Sequence, residues 1–220
     1  MSIRHGAKGR KRLGAALVVA LLAAAPALAT LSDAASIHRS FDALKRALAA
    51  RDGDAAVALL STASLAEWAQ DRELVLHGSR AAVEALPPGR RLAVLALRHA
   101  QPVFLLRDGA PSELASAAVR GGLVDRTALE AIELGDVARL AADRASGLVL
   151  AAGLPSGFRA GFVREHAAWR LDLPSSLAAA GHVVSQTAQA TGLGETAVIL
   201  NLIGAASGEP TSEAIWQPLL

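Results

Sequence analysis

The sequence of 220 residues contains no cysteine and no tyrosine, and its other aromatic residues are four phenylalanines and three tryptophans. The absence of cysteine excludes disulfide bonds, thiolate metal ligands and thiol nucleophiles. The absence of tyrosine excludes a phenolic hydroxyl as an acid or hydrogen-bond donor in catalysis. We therefore expect a protein held together by packing alone, which a chain of this length can achieve without covalent cross-links.

Acidic residues are absent from the first 29 positions. This segment begins with "MSIRHGAKGRKR", which carries five basic residues, and continues with the apolar run "LGAALVVALLAAAPALA". A basic start, an apolar run of this length and a small-x-small ending are typical of a secretory signal peptide, with cleavage near Ala29. An uncleaved anchor helix is the alternative, which Pro26 and the many alanines disfavour. We expect the mature protein to be periplasmic or secreted from a bacterium, with membrane contact only during export.

Removal of this segment would reverse the sign of the net charge. The whole chain has 22 Lys and Arg against 20 Asp and Glu, a formal net charge of +2. Without the five basic residues of the N-terminal segment, 17 basic residues remain against 20 acidic ones, a net charge of −3. No later segment clusters basic residues, so the sequence predicts no nucleic-acid partner.

Beyond this segment, most of the chain up to residue 130 follows a helical period. The stretch "ASIHRSFDALKRALAA" places four apolar side chains on one face, which predicts an amphipathic helix: Ile37, Phe41, Leu44 and Leu48. In "SLAEWAQDRELVLHGS", Ser64 and Glu67 have the spacing of a capping box, and Trp68 lies on the apolar side. Further helices are predicted for "AAVALLS", "RRLAVLALRHA" and "PSELASAAVRGG", and near the C-terminus for "SSLAAAGHVVSQTAQA" and "ETAVILNLIGAASG".

The period changes in the second half of the chain. The stretches "AIELGDVARLAAD", "GLVLAAG", "GFRAGFVRE" and "AAWRLDL" predict four consecutive antiparallel strands joined by tight turns. In the last one, Trp169, Leu171 and Leu173 alternate with two charged residues, which is the period of a half-buried strand. This alternation favours a core position for Trp169 between the sheet and the helices, and a ligand-stacking wall is the alternative.

The last two predicted strands carry a family resemblance. The stretch "FVRE" at 162–165 ends one strand in an Arg-Glu turn, and "WRLDL" at 169–173 begins the next with tryptophan and ends in Asp-Leu. Together with the opening helix and the Gly-Asp turn after it, this pattern resembles the nuclear transport factor two-like superfamily, in particular its exported bacterial members. The resemblance covers about residues 35–175. It implies a cone-like domain but no single function, because the superfamily includes isomerases, dehydratases and binding proteins.

These observations predict an α+β fold in which N-terminal helices pack on a curved, cone-like antiparallel sheet, with extra helices in the middle and at the C-terminus. The expected organisation is a signal peptide at 1–29, a cone-like domain at 30–175 and a C-terminal helical extension at 176–220.

Patterns that carry known chemistry are scarce. The histidines have no metal-binding spacing, so we predict no metal site and no cofactor. A ketosteroid-isomerase type of site needs a tyrosine donor, and the serines lack a neighbouring base, so no catalytic residue is assigned. Six residues are candidates to line a ligand pocket: Trp68, Arg98, His99, Asp136, Phe162 and Trp169. An inward Asp136, or likewise Asp143, would be a candidate base, and an exposed charge at the strand edge is the alternative.

The sequence favours a non-catalytic exported protein that binds a small apolar ligand or a protein partner in the bacterial envelope. An isomerase or lyase that uses an inward aspartate with Arg98 or His99 stays open. A third function that stays open is a module that assembles, for instance as a homodimer, through its apolar C-terminal helices. Two titratable side chains in one pocket would favour the enzyme, a dry apolar cavity would favour the binder, and an exposed apolar face at 194–206 would favour assembly.

Overall fold

The computed structural model describes residues 32–100, 108–122 and 126–220. The predicted signal peptide lies outside the described residues. The chain divides into two compact units, residues 1–36 and residues 37–220. Of the first unit, residues 32–36 are described, and they begin the first helix. The chain from Ile37 onwards forms the second unit.

Helices dominate the chain before the sheet. They are α1 at 32–49, α2 at Gly53–Val57, α3 at Thr62–His77, α4 at Arg80–Glu84, α5 at Pro88–Ala100, α6 at Pro111–Arg120 and α7 at Arg126–Glu130. Side-chain caps mark several of their starts: Asp52 accepts a hydrogen bond from a first-turn amide of α2, and Ser79 does so in α4. These caps satisfy amides that have no partner within the helix.

The predicted capping box of α3 is wrong. Ser61 caps this helix, because its hydroxyl accepts a hydrogen bond from the Ser64 amide at 3.0 Å. The helix therefore begins three residues earlier than expected. Ser64 lies within the first turn and is fully buried, and Glu67 is half-buried in the second turn. An earlier serine with the same capping chemistry decided the start.

The sheet has four antiparallel strands in the order β1-β2-β3-β4: Ile132–Arg139, Arg144–Ala151, Leu154–Glu165 and Ala168–Asp172. Each strand pairs with its neighbour in sequence, which is the predicted meander. The register shifts between Leu134 and Val137 and between Leu148 and Leu150. Such irregularities bend a strand, and the sheet is curved. The prediction of an α+β fold is confirmed.

Two helices follow the sheet directly. Asp172 ends β4 and also caps α8, Leu173–Thr191, by accepting a hydrogen bond from the Ser175 amide at 3.2 Å. The predicted boundary at residue 175 therefore lies in the first turn of α8. Helix α9, Glu195–Ser207, and a 3-10 helix, Glu213–Trp216, complete the chain. Within the described ranges, no helix is both long and apolar enough to cross a bilayer.

Two large clusters of buried side chains stabilise the second unit. One lies between α1 and the sheet and includes Phe41, Phe162 and Trp169. Trp169 is only 3% exposed there, in the core position that the alternating pattern of its strand favoured. The other cluster joins α3, α4, α5, α8, α9 and the 3-10 helix. Between these clusters, a smaller one brings α1 and α2 together around Leu44 and Ala56.

Candidate functional site

A cavity of about 390 Å³ lies where these elements meet. Its walls come from α1, α2, α3, α5, α6, the end of β4 and the start of α8, and they consist mainly of leucine, alanine and valine side chains. Among the described residues, the charged side chains in its wall are Glu67 and Asp71, and Trp68 supplies an aromatic ring. The volume lies within the range of about 300–1,000 Å³ that is typical of small-molecule sites.

Helix α3 presents these three side chains together. Glu67 and Asp71 are four residues apart, and side chains at this spacing lie one above the other on a helix. Trp68 is the next residue after Glu67 and is half-buried against the helical core. A single helical turn therefore supplies both carboxylates and the indole to one wall of the cavity.

Hydrogen bonds of two serines fix the start of α3 against the end of β4. The Ser61 hydroxyl donates to the Asp172 carboxylate at 3.0 Å, and the Ser64 hydroxyl donates to the Leu171 carbonyl at 2.9 Å. The Leu173 amide donates in turn to the Ser64 hydroxyl at 2.8 Å. The first turns of α3 and α8 are thus joined at the end of β4, where Leu171 and Leu173 line the cavity.

The two carboxylates share one guanidinium. Arg90 donates to Oδ1 of Asp71 through Nη2 at 2.6 Å and through Nε at 3.0 Å, and its Nε also contacts Oε1 of Glu67. The Asp71 side chain is 5% exposed and the Glu67 side chain 16%. Burial raises the pKa of Asp71. Arg90 opposes this increase through its hydrogen bonds and charge, and the neighbouring Glu67 carboxylate adds to it.

Arg90 reaches the carboxylates from outside the cavity. It lines a second pocket of about 400 Å³, together with Pro88, Gly89 and His182, and it does not line the first. Glu67 lies in the wall of both pockets. Glu67 therefore lies between the cavity and the pocket that contains the compensating guanidinium.

The six predicted pocket residues lie in different parts of the structure. Trp68 lines the cavity. Phe162 and Trp169 belong to the core between α1 and the sheet, and neither is in the cavity wall. Asp136 is exposed on β1, as is Asp143 in the turn after it. No inward aspartate comes from these two positions.

Arg98 and His99 do not line the cavity either. Arg98 is 1% exposed, and its pKa is lowered by burial. Its guanidinium donates to four carbonyl groups, at 2.6 Å to Leu74, 3.2 Å to Val75, 2.5 Å to Gly78 and 2.8 Å to Trp216. It thereby satisfies carbonyls at the C-terminal end of α3. His99 shares a hydrogen bond of 3.0 Å with Ser207 at the surface.

Sequence reasoning missed Glu67, Asp71 and Arg90 as site residues. Glu67 was assigned to a capping box, and Asp71 was not singled out. The available signal was the pair of acids four residues apart beside a tryptophan, since such a pair repels on an exposed helix unless a cation compensates. Arg90 is 19 residues further along the chain from Asp71, and only tertiary packing brings it there.

Among the described residues, no group of three or more histidine or carboxylate side chains is arranged to hold a metal ion. Comparisons with protein-family models, with curated proteins and with solved structures found no match.

Proposed function

We propose that this protein binds a small, largely apolar molecule in the cavity between α3, α5, α6 and α8. The observation that carries the proposal is a cavity of about 390 Å³ whose wall consists almost entirely of apolar side chains. Apolar walls favour the hydrocarbon surface of a ligand.

The proposed location is the periplasm or the exterior of a bacterial cell. It is supported by the basic and apolar pattern of residues 1–29. Membership of the nuclear transport factor two-like superfamily is likewise a proposal. It is supported by an N-terminal helix packed on a curved meander through Phe41 and Trp169.

Binding is tested by native mass spectrometry of the protein purified from its own envelope, followed by titration with small apolar probes. We expect a bound small molecule and a change in tryptophan fluorescence, because Trp68 lines the cavity. Ala118→Leu places extra volume in the cavity wall, and we expect it to abolish binding. Ala66→Leu, at an exposed position of α3, is the matched control and should bind normally. Equal binding by both variants would contradict the proposed site.

A proton-transfer enzyme of the isomerase or lyase type is the second candidate. The observation that favours it is the presence of two carboxylates around one guanidinium in a cavity, with the pKa of Asp71 raised by burial. In this version Asp71, rather than Asp136, would be the general base, and Arg90 would hold its orientation. Recovery of the bound molecule chemically unchanged after prolonged incubation with the protein favours the binding function; conversion that Asp71→Asn abolishes favours the enzyme.

The assembly alternative depends on the apolar surface that α9 leaves exposed. Val198, Ile199 and Ile203 are buried in the helical core against α5 and α8. Leu202 on the same helix is 37% exposed, so the apolar face that suggested a partner surface is covered only in part within the chain.

A further inference from the structure

We propose that the ligand is an uncharged hydrocarbon of compact shape, a fused or bridged system of two or three rings, rather than an extended chain. This inference rests on the proposed binding function and names the class of ligand.

The first step is the chemistry of the wall. Leucine, alanine and valine side chains, which have no hydrogen-bonding groups, form most of it. Its two acids, Glu67 and Asp71, are paired with Arg90, which lines the neighbouring pocket instead of the cavity. A charged group that entered the cavity would therefore lose its hydrogen bonds to water without replacement. The wall thus favours a ligand whose buried part is hydrocarbon.

The second step is size. The cavity measures about 390 Å³, and an apolar protein cavity of about 150 Å³ holds one benzene ring. The ratio of the two volumes lies between two and three, which corresponds to two or three fused rings. Short side chains on α5 and α6 keep this space open where α1, the end of β4 and α8 present leucines: Ala93, Ala115 and Ala118.

The third step is depth. Four helices contribute to the wall, and in each of them the wall residues lie within five consecutive positions: 44–48 in α1, 67–71 in α3, 93–97 in α5 and 115–119 in α6. Five residues rise about 6 Å along a helix axis, so the cavity is about one helical turn deep along all four helices. An extended chain that filled the volume would have to fold back within this depth and lose conformational freedom, whereas a ring system has little such freedom to lose.

Two alcohols with ten carbons each test the shape of the ligand: 1-adamantanol, a compact cage, and 1-decanol, an open chain. Each is titrated into the full chain at pH 7 and followed by calorimetry and tryptophan fluorescence. We expect 1-adamantanol to bind at least ten-fold more tightly. Hydrophobicity alone predicts the reverse order, because the open chain has more hydrocarbon surface to bury.

A third probe tests the charge of the ligand. Adamantane-1-carboxylate has the same cage and is ionised at pH 7. We expect it to bind at least ten-fold more weakly than 1-adamantanol, because its carboxylate would find no hydrogen-bond donor in the apolar wall.

Variants of the wall show whether the probes occupy the cavity. Ala118→Leu and Ala93→Val each reduce the space between α5 and α6, and each should weaken the binding of 1-adamantanol at least ten-fold. Ala66→Leu, at an exposed position of α3, is the control and should bind as wild type. Ala93→Val adds less volume than Ala118→Leu and decides the question if Ala118→Leu does not fold.

The outcomes are distinct. If 1-decanol binds as tightly as 1-adamantanol or more tightly, and both are lost in the wall variants, the compact shape is overturned and the binding function stays intact. Equal affinity for 1-adamantanol and adamantane-1-carboxylate would overturn the requirement for an uncharged ligand. Failure of every probe to bind, or binding that the wall variants leave unchanged, would contradict the proposed binding function itself.

Discussion

At the residue scale, Arg98 shows how a buried cation can serve the backbone instead of a ligand. Its sequence position after an apolar run suggested a pocket mouth. The structure places its guanidinium on carbonyl oxygens from the end of α3 and from the 3-10 helix. Because carbonyl oxygens are not visible in a sequence pattern, no spacing rule could have indicated these partners.

Replacement of Arg98 by methionine keeps much of the side-chain volume but removes every donor. We expect the free energy of unfolding to fall by about 3–5 kcal/mol, because buried carbonyls lose charged hydrogen-bond partners. Urea unfolding measures this change. Arg126→Met, which removes an exposed arginine paired with Glu130, is the control, with an expected change within about 1 kcal/mol. Similar values for the two variants would contradict the role of Arg98.

Asp71 predicts a pH dependence with a definite sign. Its pKa in the folded protein is raised above the reference value of 3.8, so the folded state binds this proton more tightly than the unfolded state. Its contribution to stability is therefore fully present below pH 3.8 and is lost as the pH rises through the folded pKa. Measured against Asp71→Asn, wild type should lose stability as the pH rises from 3.8 through the folded-state pKa of Asp71. The prediction would be contradicted if the difference in stability between wild type and Asp71→Asn stayed constant, or changed in favour of wild type, as the pH rises.

At the scale of elements, the apolar periods of the sequence predicted most helices and the order of strands. The spacing of residues such as Ile37 and Phe41 indicates that they are buried, because a helix or strand needs one apolar face. The start of α3 was predicted wrongly, because Ser61 and Ser64 have equal capping chemistry. Their different tertiary partners, Asp172 for Ser61 and the Leu171 carbonyl for Ser64, are not visible in the sequence. Trp68 could be predicted as a cavity residue, whereas the role of Arg90 depends on how α5 crosses α3.

The crossing of α5 and α8 requires a glycine. A Cβ atom at Gly89 would lie 1.8 Å from the Leu177 carbonyl oxygen and 3.1 Å from the Gly181 amide nitrogen. We expect Gly89→Ala to force these helices apart, lowering the free energy of unfolding by at least about 3 kcal/mol and weakening binding in the cavity that Leu177 lines. Thermal unfolding and probe titration measure the two effects. Gly194→Ala, where a Cβ meets no atom within 4 Å, should change stability by less than about 1 kcal/mol.

At the scale of the whole molecule, the sheet core and the helical core meet around the cavity within the unit of residues 37–220. In the wall of the cavity, Leu171 packs against the sheet core and the smaller cluster of α1 and α2, and Leu97 belongs to the helical core. Shared walls of this kind couple the stability of one core to that of the other.

Tryptophan variants test this coupling. Trp169 is buried in the sheet core and Trp216 in the helical core, at 3% and 2% exposure. We expect Trp169→Ala and Trp216→Ala each to lower the free energy of unfolding by about 3–5 kcal/mol while preserving one cooperative transition. Circular dichroism and tryptophan fluorescence should then give coincident urea curves. Two separated transitions in either variant would show that the cores unfold independently.

The sequence by itself determined the fold class, the strand order and the packing of Trp169, because these depend on local periods of apolar and polar residues. Only the tertiary structure decided the location of the cavity and the charge at its wall. Glu67 and Asp71 acquire their chemistry from burial and from Arg90, which belongs to another helix. The energy of a buried charge depends on what surrounds it in space, and a linear pattern of residues does not contain that information.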